Sequence, residues 1–139
     1  MFEYLEKRKV YLVYIPLIIY WIFLFTATSL PAAHVPSFAV SDKIKHFCAF
    51  FGLSVLLSLT LLYQNKVLLF KKYFTAAAVI ISSFYGLVDE IHQSFVPGRN
   101  SEFLDWVADS LGAAVGVLLV YYLLKKFEYF PKPANNFSE

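Results

Sequence analysis

The residues best suited to chemistry in this chain are concentrated in one polar stretch, residues 89–99, between two long apolar runs. It contains two adjacent carboxylates, an imidazole, an amide and a guanidinium: Asp89, Glu90, His92, Gln93 and Arg99. A carboxyl group or an imidazole can transfer protons, and a guanidinium can hold a phosphate or carboxylate through two hydrogen bonds. If the flanking runs cross a bilayer, these groups lie at membrane depth, where ionisable side chains are costly and usually functional.

A second polar segment precedes an apolar run nearer the N-terminus. Asp42 and His46 are four residues apart, and Lys43 is three residues before His46, so each pair can share one face of a helix. Ser41 is suited to cap that helix, and Asp42 is favourable at its positive end. The segment therefore adds an acid, an imidazole and a cation to the predicted site.

A third segment places two acids and two glycines on one helical face, at intervals of four, three and four: Asp105, Asp109, Gly112 and Gly116. Counted from the predicted helix start, Asp109 lies about 12 Å along the axis. An ionised carboxylate in hydrocarbon at that depth would cost about 2.5–3.5 kcal/mol. Asp109 must therefore face the bundle and be paired, hydrated or protonated. The available partners are Lys43, His46 and Arg99.

The composition argues against a soluble domain and indicates membrane-spanning helices as the elements that hold these groups. Of 139 residues, 59% are hydrophobic and 16% charged, and the mean hydropathy is +0.60. Four runs are long enough for one crossing each at about 20 residues per span: residues 10–30, 42–63, 73–94 and 101–124. The predicted fold is all-α, a polytopic membrane protein with four transmembrane helices in a compact bundle. The net charge of +2 does not suggest nucleic acid, and the single Cys48 excludes an intrachain disulfide.

Lysine and arginine are divided unequally between the two sides that four spans create. With the N-terminus inside, nine fall on one side: Lys7, Arg8, Lys9, Lys66, Lys71, Lys72, Lys125, Lys126 and Lys132. Three fall on the other: Lys43, Lys45 and Arg99. The positive-inside rule therefore predicts cytoplasmic termini. The three histidines (His34, His46, His92) and six of the ten carboxylates then lie at the outer face, so the predicted site faces outward.

The connections and termini can be assigned from turn and cap signals. Residues 1–9 are a predicted cytoplasmic N-terminal segment, 10–124 the membrane domain, and 125–139 a cytoplasmic polar tail that we expect to be disordered. Pro16 predicts a kink in the first helix. Pro97 and Gly98 suit the centre of a type II turn. Asn100 or Ser101 is the predicted cap of the fourth helix, and residues 64–72 are a predicted connection.

Local spacing argues against two other kinds of site. Six side chains could offer nitrogen or oxygen ligands to Zn²⁺: His46, His92, Asp89, Glu90, Asp105 and Asp109. None of the usual His-x-x-x-His, His-x-His or paired-cysteine spacings is present, so the sequence predicts no metal and no cofactor. Neither Ser94 nor Ser101 lies in a nucleophile-elbow context. An alternative is that Asp89, Glu90 and Asp109 form a structural ion-pair network without a ligand, and that Asp42 and Glu102 only cap helices.

At three places the sequence resembles the VanZ-like family of small bacterial membrane proteins. The matching motifs are Ser41-Asp42-Lys43-x-x-His46-Phe47, Asp89-Glu90-x-His92-Gln93-x-Phe95-Val96-Pro97-Gly98-Arg99, and Asp105-x-x-x-Asp109-x-x-Gly112-x-x-x-Gly116. The resemblance covers roughly residues 10–124. It departs at Asp109, where the family pattern leads us to expect asparagine. The resemblance implies a role in the bacterial cell envelope and, for some members, lowered susceptibility to the glycopeptide antibiotic teicoplanin.

Three functional hypotheses remain open. The first is a protein that engages a membrane lipid, a lipid-linked envelope component or the antibiotic at the outer leaflet. The second is an enzyme acting on a lipid-linked phosphate or glycan, and the third is an ion-coupled transporter, which four helices make less suitable. The ligand-binding candidates are Asp42, Lys43, His46, Asp89, Glu90, Gln93, Arg99, Asp105 and Asp109. The catalytic candidates are His46, Asp89, Glu90 and Asp109.

Overall fold

The computed structural model describes residues 1–34 and 41–129 and is all-helical in its regular structure. The first span, Val10–Ser29, begins as a π-helical turn (Val10–Tyr14) after the short α1 (Phe2–Lys7) and continues as α2 (Ile15–Ser29). The remaining helices are α3 (Asp42–Tyr63), α4 (Leu68–Lys72), α5 (Phe74–Gln93) and α6 (Phe103–Lys126). The first span, α3, α5 and α6 are each long and apolar enough to cross a membrane, which confirms the predicted four-span bundle.

The closest approach in the bundle is between α3 and α6, at the two glycines of the predicted small face. A Cβ at Gly112 would overlap the Phe47 carbonyl, and one at Gly116 would lie 2.6 Å from the Phe51 oxygen. Small residues permit such backbone contact inside membranes, where helices gain little from burying apolar side chains against each other. On the opposite face of α6, Leu104, Leu111 and Leu118 are exposed, while Val107 is half-buried.

The first span packs less closely than the other three. Within Val10–Ser29, the buried residues are Val13 and Leu24. Pro16 lacks an N–H donor, and its ring crowds the carbonyl four residues earlier. A π-helical turn, Val10–Tyr14, precedes the residue at which the sequence predicts a kink. A span with so few buried side chains can border a lipid-accessible cavity.

The two ends of the bundle differ in what holds them together. At one end, the terminal end, Lys9 Nζ donates to the Tyr63 carbonyl oxygen at 2.7 Å, and the Tyr129 hydroxyl donates to a Glu6 carboxylate oxygen. Burial and the adjacent Glu6 carboxylate raise the pKa of Tyr129, so its hydroxyl remains a donor. At the other end, the site end, the last turns of α2 and α5 meet the first turns of α3 and α6.

Several predicted boundaries need correction. α6 begins at Phe103 with Glu102 as its N-cap, not Asn100 or Ser101, because the Glu102 N–H donates to Glu90 Oε2 at 2.9 Å. It continues to Lys126 rather than stopping at 124, and the connection 64–72 contains α4.

Other local predictions are confirmed or fall outside the described residues. Ser41 is the N-cap of α3 but makes no side-chain capping bond. Gly98 has φ 75°, and the Arg99 N–H donates to the Val96 oxygen, the arrangement of a type II turn. Residues 35–40, between the first and second predicted spans, and residues 130–139 of the tail predicted to be disordered lie outside the described residues.

Candidate functional site

Three helices bring one histidine and two carboxylates together at the site end. His46 comes from α3, Glu90 from α5 and Asp109 from α6, although 63 residues separate the first from the last. His46 Nδ1 lies 2.9 Å from Asp109 Oδ1 and 3.8 Å from Glu90 Oε1. All three residues are buried, with 9%, 4% and 0% of their surface exposed in chain order. We call this group the His–Glu–Asp cluster.

The cluster contains buried acceptor atoms that the protein leaves unsatisfied. Glu90 Oε2 accepts the Glu102 backbone N–H, but Glu90 Oε1 makes no hydrogen bond with any described residue. Asp109 Oδ2 is also buried and makes no hydrogen bond with any described residue. Leaving a buried polar atom without a partner costs about 1–3 kcal/mol, and more for a charged group. Such orphaned oxygens are therefore expected to meet a proton, a water molecule, a cation or a ligand.

Lys43 forms an ion-pair group beside the cluster. Its Nζ donates to Glu102 Oε2 at 2.8 Å and to Asp105 Oδ1 at 3.1 Å. The Asp105 side chain is 4% exposed, whereas those of Lys43 and Glu102 are 40% and 53% exposed. Lys43 thus ties the first turn of α3 to the start of α6 and neutralises a buried acid, but it is not the partner of Asp109 that the sequence allowed.

Arg99 is bound to backbone rather than to a carboxylate. Its Nη2 donates to the Ala27 oxygen at 3.0 Å and its Nε to the Leu30 oxygen at 3.3 Å, both at the end of the first span. The last carbonyls of a helix have no partner within the helix and carry partial negative charge, which explains why a cation is stable there. Pairing of Arg99 with Asp109, which the sequence also allowed, is not observed.

The remaining predicted residues lie around the cluster with other partners. Asp89 Oδ2 accepts the Gln93 amide at 3.0 Å, one helical turn away on α5, and both side chains are buried. Asp42 pairs with Lys45 at 3.2 Å on the surface of α3. His92 Nε2 lies 3.0 Å from the Ser29 hydroxyl and joins α5 to α2. The structure therefore gathers the predicted residues at one end but distributes them among separate contacts, and their roles in binding or catalysis stay predictions.

A cavity of about 510 Å³ opens beside these contacts, between the first span and helices α3 and α5. Most of its wall is apolar, including Phe23, Leu24, Ala49 and Phe50. Its polar lining belongs to the site end: Asp42, Lys45, His46, Asp89 and Arg99. His46 is thus shared, since it lines the cavity while its Nδ1 contacts the buried cluster. The cavity has the amphipathic lining that a lipid-like molecule requires.

Sequence reasoning missed two contributors to the site. Glu102 was assigned only a capping role, yet its side chain pairs with Lys43 and its backbone N–H holds Glu90. Ser29 was not considered, although it contacts His92 across helices. For Glu102 the signal was available, because a carboxylate at the start of the fourth helix lies on the same side as Lys43. No local sequence pattern identifies Ser29 as a partner of His92.

Comparison with known proteins finds one family model and one relative that each match most of the chain. The family model described as VanZ/LLP1 matches residues 8–125. An uncharacterized protein of Schizosaccharomyces pombe is 32% identical over 124 residues, which is 88% of this chain and 69% of that protein. No solved structure matches the chain. The matched range contains the first three spans, all of the fourth except its last residue, and every residue of the His–Glu–Asp cluster.

Proposed function

Since this chain belongs to the VanZ/LLP1 family of integral membrane proteins, we propose that it binds a membrane lipid or a lipid-linked envelope compound at its site end. The observation that supports this most strongly is the cavity of about 510 Å³ between the first span and helices α3 and α5. Its apolar wall suits an acyl or isoprenoid chain, and its polar lining suits a head group. An amphiphile would enter from the bilayer without leaving hydrocarbon.

The charges around the cavity suit a phosphate-containing head group. Arg99 uses two N–H donors on the carbonyls of the first span, and its remaining donors can reach a phosphate oxygen. Lys45 adds a second cation, while Asp42 and Asp89 add anions on the same lining. This mixture of signs favours a phosphate that carries an amine or sugar over a bare anion. It also agrees with the sequence, which places six carboxylates but three lysines and arginines at the predicted outer face.

The location follows from the distribution of basic residues. Nine lysines and arginines against three favour cytoplasmic termini and an outward-facing site end. The resemblance to VanZ-like proteins adds a bacterial plasma membrane and a link to teicoplanin susceptibility. However, the chain also has a fungal relative, so a membrane lipid is a better common ligand than the antibiotic or a bacterial wall precursor.

Photocrosslinking tests the lipid proposal directly. The purified chain, in vesicles with a phospholipid bearing a photoreactive acyl chain, should be labelled on peptides of α2 and α3 that line the cavity. Ala27→Trp fills the cavity and should lower labelling at least tenfold. Ala76→Trp is the matched control, because Ala76 is exposed on α5 outside the cavity, and it should leave labelling unchanged. Full labelling of the Ala27 variant, or labels confined to other helices, would overturn the proposal.

One observation favours an enzyme as the second function. His46 lines the cavity, and its Nδ1 is held by buried Asp109, the arrangement in which a carboxylate orients an imidazole for proton transfer. A catalyst would convert the bound lipid, whereas a binder would release it intact. Mass spectrometry of lipid recovered after incubation separates the two. Loss of product with Glu90→Gln, at unchanged melting temperature, would favour catalysis; recovery of intact lipid alone would exclude it for that lipid.

A further inference from the structure

We propose that the His–Glu–Asp cluster is a binding site for a divalent transition-metal cation such as Zn²⁺, with His46, Glu90 and Asp109 as its protein ligands. The sequence predicted no metal because no local spacing pattern is present. The three residues come from three different helices, so no such pattern could have revealed them. The proposal concerns a cation and does not depend on whether a lipid occupies the neighbouring cavity.

The distances between the ligand atoms suit a single cation. His46 Nδ1 is 2.9 Å from Asp109 Oδ1 and 3.8 Å from Glu90 Oε1, and one ligand atom from each residue lies within 4.8 Å of the other two. Zinc binds nitrogen and oxygen at about 2.0–2.2 Å, which places neighbouring ligand atoms roughly 3.3–3.6 Å apart around a tetrahedral ion. The cluster needs only small side-chain movements to reach that geometry.

The unsatisfied oxygens are the independent observation that points to a ligand. Glu90 Oε1 and Asp109 Oδ2 are buried and make no hydrogen bond with any described residue. Both belong to side chains that are more than nine-tenths buried, and Glu90 Oε1 faces His46 Nδ1 at 3.8 Å. Carboxylate lone pairs without donors at membrane depth are unfavourable, and a cation bound between His46 and Glu90 would satisfy Glu90 Oε1.

Charge balance leads to the same conclusion. Among the described residues, the cationic group within 4 Å of either cluster carboxylate is His46 itself. Lys43 is engaged by Glu102 and Asp105. Two carboxylates with a neutral imidazole carry a charge of −2, which a divalent cation cancels. One protonated imidazole would cancel only half of it.

A second group of potential ligands shares His46 but is less suitable. Asp42, His46 and Asp105 also place one ligand atom each within 4.8 Å of one another. However, Asp42 is exposed and paired with Lys45, and Asp105 already accepts from Lys43. Nitrogen with two carboxylate oxygens is a donor set that suits zinc and its first-row neighbours. The buried cluster is therefore the site we assign.

The test measures metal on the purified full chain without added lipid. After treatment with a chelator, wild type titrated with ZnCl₂ and dialysed should retain one Zn²⁺ per chain by elemental mass spectrometry. Zinc should also raise the melting temperature, since a ligand that binds the folded state stabilises it. Glu90→Gln and Asp109→Asn should each weaken zinc binding at least tenfold. Absence of stoichiometric zinc in wild type would overturn the proposal.

Two matched controls separate the cluster from other acids and histidines at the same end. Glu102→Gln removes a carboxylate that pairs with Lys43, and His92→Gln removes a histidine that contacts Ser29; both should retain zinc. If Asp105→Asn abolishes binding while Asp109→Asn does not, the assignment is wrong. Should a cluster variant fail to fold, cobalt-substituted wild type decides: X-ray absorption must show one imidazole among oxygen ligands, and an all-oxygen shell would refute the site.

Discussion

Lys43 and Lys45 lie two residues apart on the first turn of α3 and have different electrostatic roles. Lys43 contacts buried Asp105 as well as exposed Glu102, whereas Lys45 contacts exposed Asp42. An ion pair between exposed groups contributes little to stability, but a buried carboxylate that loses its cation is left uncompensated. The two lysines therefore form a natural comparison of surface and interior pairing.

We expect Lys43→Gln to lower the melting temperature measurably in detergent, because Asp105 then keeps a buried charge without its cation. Lys45→Gln is the matched control and should leave the melting temperature nearly unchanged. Adding Asp105→Asn to Lys43→Gln should recover part of the loss, since the unpaired charge disappears with the second change. Equal effects of the two single lysine variants would contradict the distinction between the two pairs.

From the sequence, the cost of charge in hydrocarbon predicted that Asp109 faces the interior, with Lys43, His46 or Arg99 as its partner. Asp109 is buried and contacts His46. The pairing among them was not predictable, because distances between side chains on different helices depend on the helix packing. Arg99 illustrates the limit: as the only arginine of the site end, it was an obvious partner for an acid, yet backbone carbonyls bind it.

At the scale of the elements, the contact between α3 and α6 depends on residues without side chains. We expect Gly112→Ala to destabilise the bundle by about 1–3 kcal/mol, the usual cost of overpacking, because its Cβ would overlap the rigid backbone carbonyl of Phe47. Unfolding in mixed detergent measures the change. Gly52→Ala is the matched control: its Cβ would meet the Tyr20 hydroxyl at 2.6 Å, the end of a side chain that can move, so the loss should be smaller.

The sequence predicted correctly those helix boundaries that depend on local signals, and not those that depend on contacts with other parts of the chain. α3 runs over Asp42–Tyr63 as expected, since both its cap and its last apolar residue are local signals. The predicted start of α6 was wrong because Glu90, on another helix, accepts the backbone N–H of Glu102. α4 was missed because Gln64 organises the connection: its Oε1 accepts the backbone N–H groups of Lys66 and Val67. Long-range and side-chain-to-backbone bonds leave no periodic pattern in the sequence.

At the scale of the whole molecule, four apolar runs and their alternation define the fold, and the count of basic residues predicts which end faces outward. Two exposed loop asparagines test that orientation: Asn100 follows α5 at the site end, and Asn65 follows α3 at the terminal end. In a Cys48→Ser background, a membrane-impermeant maleimide should label Asn100→Cys on intact cells. Asn65→Cys should react only after permeabilisation. The reverse pattern would place the site in the cytoplasm.

The attachment of the first span has a consequence for rates. Its buried residues are Val13 and Leu24. Two hydrogen bonds hold its end: Arg99 donates to the Ala27 oxygen, and the Ser29 hydroxyl contacts His92. Because the cavity lies against this span, we expect a lipid bound there, as we propose, to dissociate faster when these bonds are weakened. Arg99→Lys keeps the charge but cannot reach both carbonyls through one planar group. Its lipid residence time, measured by exchange of a fluorescent lipid, should therefore fall several-fold, and Lys66→Arg, at an exposed position outside the cavity, should leave it unchanged.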